Sequence, residues 1–220
     1  MNSYKILEEK IKACRKCHLR DTCLQVVPGE GNFEADIMFI GEGPGENEDK
    51  QGRPFVGAAG KFLEEMLSLI GKNREDVFIG NVLKCRPPGN RDPLPEEVKA
   101  CWPWMMEQIK IIKPKLVVLL GRHAMERFLP GQKISKIHGQ AMRREILEIG
   151  KQVFYVLYHP AAALYQGSLR ETLKTDFKKI PKVIEAIEKN KENNLDNREN
   201  RERKDGRNRF EEKKKQEALF

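Results

Sequence analysis

Four short apolar runs, Asp36–Ile40, Val77–Leu83, Leu116–Leu120 and Val153–Tyr158, are rich in β-branched or aromatic residues and bounded by Gly or Pro. Runs of this length without polar alternation read as strands buried on both faces. Helical patterns separate them. Ala58–Ile70 places Phe62, Met66, Leu67 and Ile70 on one face, Pro95–Ile112 opens with Pro-Glu-Glu, and Arg122–Phe128 makes a short third helix. Strands alternating with helices are joined by crossovers and lie parallel. The chain is therefore expected to be α/β, a three-layer α/β/α domain on a central, mainly parallel four-stranded sheet. Met142–Val156 reads as a hairpin with Gly150 in its turn, and Leu169–Lys189 as a last amphipathic helix interrupted near Pro181.

With 220 residues the chain can bury one substantial core, and its hydrophobic content of 39% is low because the last thirty residues are almost all polar. Residues 1–189 are expected to form the globular domain. From Asn190 onward Asn, Glu, Lys and Arg dominate, too polar to offset ordering entropy, so 190–220 is expected to be a disordered or transiently helical tail. No apolar run reaches the roughly 20 residues of a membrane span, and a soluble, cytoplasmic monomer is expected. The net charge of +8 lies mostly in the domain, since the tail holds 10 basic and 8 acidic residues and leaves 31 basic against 25 acidic. Such a surplus attracts polyanions, most commonly nucleic acid.

In parallel sheets ligands gather at the carboxyl ends of the strands, and here those ends run into distinctive loops. The first carries Gly41-Glu42-Gly43-Pro44-Gly45-Glu46-Asn47-Glu48-Asp49, glycines that admit a ligand close to the backbone beside clustered carboxylates. A dinucleotide fingerprint fails, because Glu46 stands where a third glycine is needed. Gly52-Arg53-Pro54-Phe55-Val56-Gly57 follows, with Phe55 either a core plug or a stacking platform. The second strand ends at Asn81, whose amide offers a donor and an acceptor side by side to a base edge. Behind it, Lys84, Arg86, Asn90 and Arg91 suit phosphate contacts. The last strand ends in Tyr158-His159-Pro160-Ala161-Ala162-Ala163-Leu164, where a rigidly held His159 suits hydrogen bonding to developing negative charge.

Cys14 and Cys17 form a C-x-x-C pair, and Cys85 and Cys101 lie far downstream as C-x15-C. A zinc ribbon would more usually repeat its knuckle, so the spacing points to an iron–sulfur cluster with zinc as the competing metal. Disulfides or buried thiols are the plainer alternatives, and no secretory leader places the chain in an oxidising compartment. Cys23 is left over and expected to be structural.

Taken together, Gly-Glu-Gly-Pro-Gly-Glu, Arg-Pro-Phe-Val-Gly, Asn-Val-Leu-Lys-Cys-Arg-Pro-Pro-Gly-Asn-Arg and His-Pro-Ala-Ala-Ala-Leu resemble the uracil-DNA glycosylase superfamily over roughly residues 1–185. The four-cysteine pattern is similar to that of its iron–sulfur family 4 enzymes. The resemblance implies a three-layer fold, one 4Fe-4S cluster on Cys14, Cys17, Cys85 and Cys101, no catalytic divalent metal, and hydrolytic removal of uracil from DNA. It makes Phe55 the platform under a flipped uracil, Asn81 the reader of its pairing edge and His159 the partner of its O2 side. Glu42 lies where it would stabilise the sugar cation or place water. Gly43 occupies the position of a water-binding Asp in the best-known branch. Glu48 or Glu46 would exclude a thymine methyl, and Ala163 or Leu164 would wedge into the gap left by the flipped nucleotide. Two rival readings are a non-catalytic iron–sulfur nucleic-acid-binding module and a metal-dependent nuclease on Glu42, Glu46, Glu48 and Asp49.

At the far end of the tail, Gln216, Leu219 and Phe220 resemble part of a sliding-clamp-binding peptide. A clamp is therefore an expected partner beside uracil-containing DNA.

Overall fold

The computed structural model describes residues 3–190 and 192. Of these, residues up to 180 form one compact unit. Its elements run α1 (Ser3–Lys12), α2 (Leu19–Thr22), β1 (Glu30–Gly31), β2 (Ile37–Gly41), α3 (Glu46–Gln51), α4 (Ala58–Ser68), β3 (Phe78–Asn81), α5 (Pro95–Ile112), β4 (Leu116–Leu120), α6 (Arg122–Phe128), α7 (Ile134–Ile137), β5 (Ala141–Ile146), β6 (Gly150–Leu157), α8 (Pro160–Tyr165) and α9 (Gly167–Phe177).

The strands form one sheet in the order β1-β3-β2-β4-β6-β5, with β3, β2, β4 and β6 mutually parallel. These are the four expected strands. Two antiparallel edges make the sheet six-stranded rather than four-stranded: β5 is the first arm of the expected hairpin, and β1 is a two-residue pairing on β3 too short to leave a periodic signal. Gly150 turns that hairpin with φ +73, a conformation that glycine adopts without a Cβ penalty.

Alternate residues of each strand point to opposite faces, and both faces are apolar. Met38, Ile40, Val117, Leu119, Phe154 and Val156 belong to one buried cluster with α1, α5 and α6. On the other face Phe39 stacks on Phe177 of α9, with ring centroids 5.4 Å apart. There α4 contributes Phe62, Leu63, Met66 and Leu67. The result is helices, sheet and helices in three layers.

Boundary differences have local causes. The helix expected to reach Ile70 stops at Ser68, because Leu69 and Ile70 N–H donate to carbonyls three residues back and Gly71 turns at φ +66. Pro95–Ile112 and Arg122–Phe128 occur as expected. The last helical pattern breaks at residues 178–179, just before Pro181, whose missing N–H is tolerated in a helix's first turn.

Backbone from Pro181 to Asn190 is helical in a second unit, with Lys189 pairing Glu185 at 3.5 Å. The expected clamp-binding residues Gln216, Leu219 and Phe220 lie outside the described residues, as does nearly all of the expected tail. Among the described residues no helix is long and apolar enough to cross a membrane.

Candidate active site

β3 and β4 flank β2 on opposite sides, so the crossovers leaving β2 and β3 diverge and open a crevice at their carboxyl ends. A cavity of about 360 Å³ lies there, with Glu42, Gly43, Phe55, Asn81 and His159 in its lining. Residues from three separate strand ends and one connecting loop thus converge on one space.

Asn81 closes β3 and is only 2% exposed. Its Oδ1 is, among the described residues, a buried side-chain oxygen with no hydrogen-bond partner. An orphaned buried acceptor costs free energy unless a ligand satisfies it. Beside it, Phe55 has a left-handed backbone at φ +52, strained for an aromatic residue. Arg74 holds that turn by donating to the carbonyls of Pro54 and Phe55 at 2.6 and 3.0 Å, while its guanidinium pairs with Glu30. Gly41 is needed where these parts meet, since a Cβ there would fall 2.4 Å from Asn81 Oδ1 and 2.8 Å from Phe55 Cζ.

His159 is the N-cap of α8, and its Nδ1 accepts the Ala161 N–H at 3.1 Å. That bond assigns the ring proton to Nε2, making it a donor. Burial holds the ring well below the usual imidazole range, at about 4, so the ring is neutral near pH 7. Its ring lies 5.6 Å from that of Phe55, roughly parallel at 27°.

Glu42 follows β2, and its carbonyl accepts the Leu83 N–H at 2.9 Å, which extends the parallel ladder and fixes the backbone. Burial raises its carboxyl above the ordinary value, opposed by His123. His123 Nε2 stands 3.8 Å from Glu42 and 3.5 Å from Asp92. One ligand atom from each of the three falls within 4.8 Å of the others, a donor set that would also suit a cation. Sequence reasoning missed His123 and Asp92. The signal available was position, because His123 lies just beyond the carboxyl end of β4.

The acidic loop does not form the carboxylate cluster that a nuclease would use. Glu48 accepts N–H bonds from Gly45, Val56 and Gly57 at 2.9–3.1 Å, tying the glycine loop to the Phe55 loop while lining the cavity. Asp49 is buried and accepts from Leu24 and Gln25. Glu46 pairs with Lys50 on the surface.

Of the residues expected at phosphates, Arg86, Asn90 and Arg91 share one loop, and Asn90 and Arg91 line the cavity. Arg86 Nε donates to Asn90 Oδ1 at 2.7 Å, and Arg91 makes two bonds to the buried carboxylate of Glu97, which also meets His18. Lys84 is a correction. It is 1% exposed, with Nζ donating to the Asn81 carbonyl at 2.7 Å and Gln108 Oε1 at 2.6 Å, so it is out of reach of phosphate. Burial pushes its ammonium down to about 7. Ala163 is a second correction: the segment is helical, and Ala163 turns inward at 3% exposed, whereas Leu164 is 40% exposed and Tyr165 is 91% exposed.

The metal-site expectation can be tested on the thiols. Cys85 and Cys101 are buried, Cys14 and Cys17 half-buried, and Cys17 lies within electrostatic range of Cys14, Cys85 and Cys101. Burial raises the thiols of Cys17, Cys85 and Cys101, and a compensating positive charge such as a metal would favour their thiolates. N–H donors already face them: Leu19 to Cys17, Lys84 to Cys101, and Trp104 Nε1 to Cys14 at 3.2 Å. Such donors stabilise metal-bound thiolates, and the four residues fit the group. Cys23 is a buried free thiol hydrogen-bonded to the Cys85 thiol, beside the set.

A family model described as the uracil DNA glycosylase superfamily matches residues 28–184. A type-4 uracil-DNA glycosylase of Archaeoglobus fulgidus is 49% identical over 186 residues, covering 82% of this chain and 92% of that protein. Its counterpart in Thermotoga maritima is 44% identical over 184 residues, 82% of this chain and 94% of the other. A type-5 uracil-DNA glycosylase of Pyrobaculum aerophilum is 30% identical over 61% of the chain and 65% of its own length. Matched across most of its length, the chain belongs to the uracil-DNA glycosylase superfamily.

Proposed function

We propose that this protein is a monofunctional glycosylase that hydrolyses the N-glycosidic bond of uracil in DNA, initiating base excision repair. The observation that carries the reading is the unpaired, buried Asn81 Oδ1 in a cavity shared with Phe55 and His159. Uracil offers an N3–H donor to that oxygen and a flat face to Phe55. Such a base must first leave the duplex stack. As the bond breaks, charge moves onto the departing base, and the neutral His159 Nε2–H stabilises it at O2 without giving up its proton. Glu42, held at the strand end, supports the positive sugar. Gly43 beside it carries no carboxylate, so the water falls to Glu42, with its neighbours His123 and Asp92.

A uracil-release assay on a uracil-containing oligonucleotide, run with a chelator, tests the reading. Free uracil should appear, and Asn81→Ala and His159→Ala should each slow release by about a hundredfold or more with duplex binding nearly unchanged. Strand cleavage that needs added magnesium would point instead to a nuclease built on Glu42, Asp92 and His123. Binding without release would leave only the nucleic-acid-binding module.

Cys14, Cys17, Cys85 and Cys101 would hold one 4Fe-4S cluster. When bound, the cluster supplies a cross-link between the N-terminal arm and the segments around Cys85 and α5. Purified protein should contain about four irons and four sulfides per chain. One zinc with no sulfide would overturn the iron assignment.

A further inference from the structure

Lys84 is a fully buried amine, and its Nζ partners among the described residues are a backbone carbonyl and an amide oxygen rather than a carboxylate. Burying an ammonium is costly, and a lysine in a strand-end turn would ordinarily reach solvent. Here it spans two structures. Its Nζ donates at 2.7 Å to the backbone carbonyl of Asn81, the residue whose side chain enters the cavity. It also donates at 2.6 Å to Gln108 Oε1 on α5. Gln108 is anchored in turn, with Nε2 donating at 2.7 Å to both Tyr4 Oη and the Pro28 carbonyl. The backbone N–H of Lys84 bonds the Cys101 thiol, seven residues from Gln108 on the same buried face of α5. A single residue therefore connects the terminus of β3 to a cysteine of the metal set and to a polar chain reaching α1.

We infer that Lys84 is a positioning residue: by clamping the Asn81 carbonyl to Gln108 it fixes the backbone from which the Asn81 amide is aimed. β3 ends at Asn81, and beyond it the ladder to the β2 segment is carried by the Val82 and Leu83 N–H groups, which donate to the Gly41 and Glu42 carbonyls at 3.0 and 2.9 Å. The amide must hold its aim while its oxygen has no protein partner, and the Lys84 bond adds to the ladder a restraint on the Asn81 carbonyl itself. This inference rests on the reading of Asn81 as the residue that contacts the base.

The test is a double-mutant cycle in the cluster-loaded, full-length protein, combining Lys84→Met with Asn81→Ala. Lys84→Met preserves the side chain's length and leaves the Asn81 carbonyl and Gln108 without their donor. Single-turnover excision by Lys84→Met should fall about tenfold to a hundredfold, the scale of a buried group left unpaired, with affinity for duplex carrying an abasic-site analogue within about twofold. In the Asn81→Ala background the same change should have almost no further effect, since the two act as one unit. Multiplicative losses, or a near-native rate for Lys84→Met, would overturn the inference. Should Lys84→Met fail to fold, Gln108→Met carries the same cycle from the other side of the clamp. Near-native excision by Asn81→Ala alone would instead remove the base-contact reading, and the inference with it.

Discussion

At the scale of single residues, Glu42 and His159 are both displaced by burial, and in opposite functional senses. The Glu42 carboxyl is raised, so the ionised form that its proposed role at the sugar requires is lost at a higher pH than for an ordinary glutamate. The excision rate should fall as pH drops through that raised value, and Glu42→Gln should be slow at every pH without this limb. His159 is depressed from 6.5 to about 4. Between those values the unfolded chain binds the proton and the native state does not, so stability rises with pH across the window and is fully present above it. His159→Gln should therefore lose less stability than the parent between pH 7.5 and pH 5, measured as the shift in urea midpoint. Identical shifts would contradict the buried, neutral ring. Much of this site could be read from residue identities, because Asn81, His159 and Glu42 stand at strand ends. Lys84 could not. A lysine beside Cys85 and Arg86 reads as a surface charge, and only the tertiary position of Gln108 reveals its acceptor.

Among the elements, α8 shows how a correct segment can carry a wrong side. The sequence places Pro160–Leu164 beyond the last strand, but exposure depends on whether the segment is extended or helical. Pro160 follows the His159 cap and starts a helix, which turns Ala163 inward and Leu164 outward. Leu164→Ala should reduce excision from duplex DNA about tenfold while leaving single-stranded substrate nearly unchanged, because only a duplex has a gap to hold open. Equal losses on both substrates would assign Leu164 to packing. The glycine loop and α3 show the converse. Their acids were legible as a group, yet Glu48 and Asp49 serve backbone N–H groups, a use invisible until Leu24, Val56 and Gly57 are brought near.

At the scale of the whole sheet, the four parallel strands were legible because burial on both faces leaves unbroken apolar runs. The edges were less so, since pairing there involves few residues or polar ones. These edges bear on how the protein behaves when crowded. β1 offers only two residues, and β5 presents Arg143, Arg144 and Glu145, all exposed. An open strand edge is a template for another chain, and shortness and charge are two ways of spoiling it. Replacing Arg144 and Glu145 with Val should leave uracil release intact yet cause concentration-dependent light scattering on warming; scattering equal to the parent would mean that β5 does no such guarding. The hairpin that completes the sheet thus also lays exposed charge along the edge at which the sheets of neighbouring molecules would have to join.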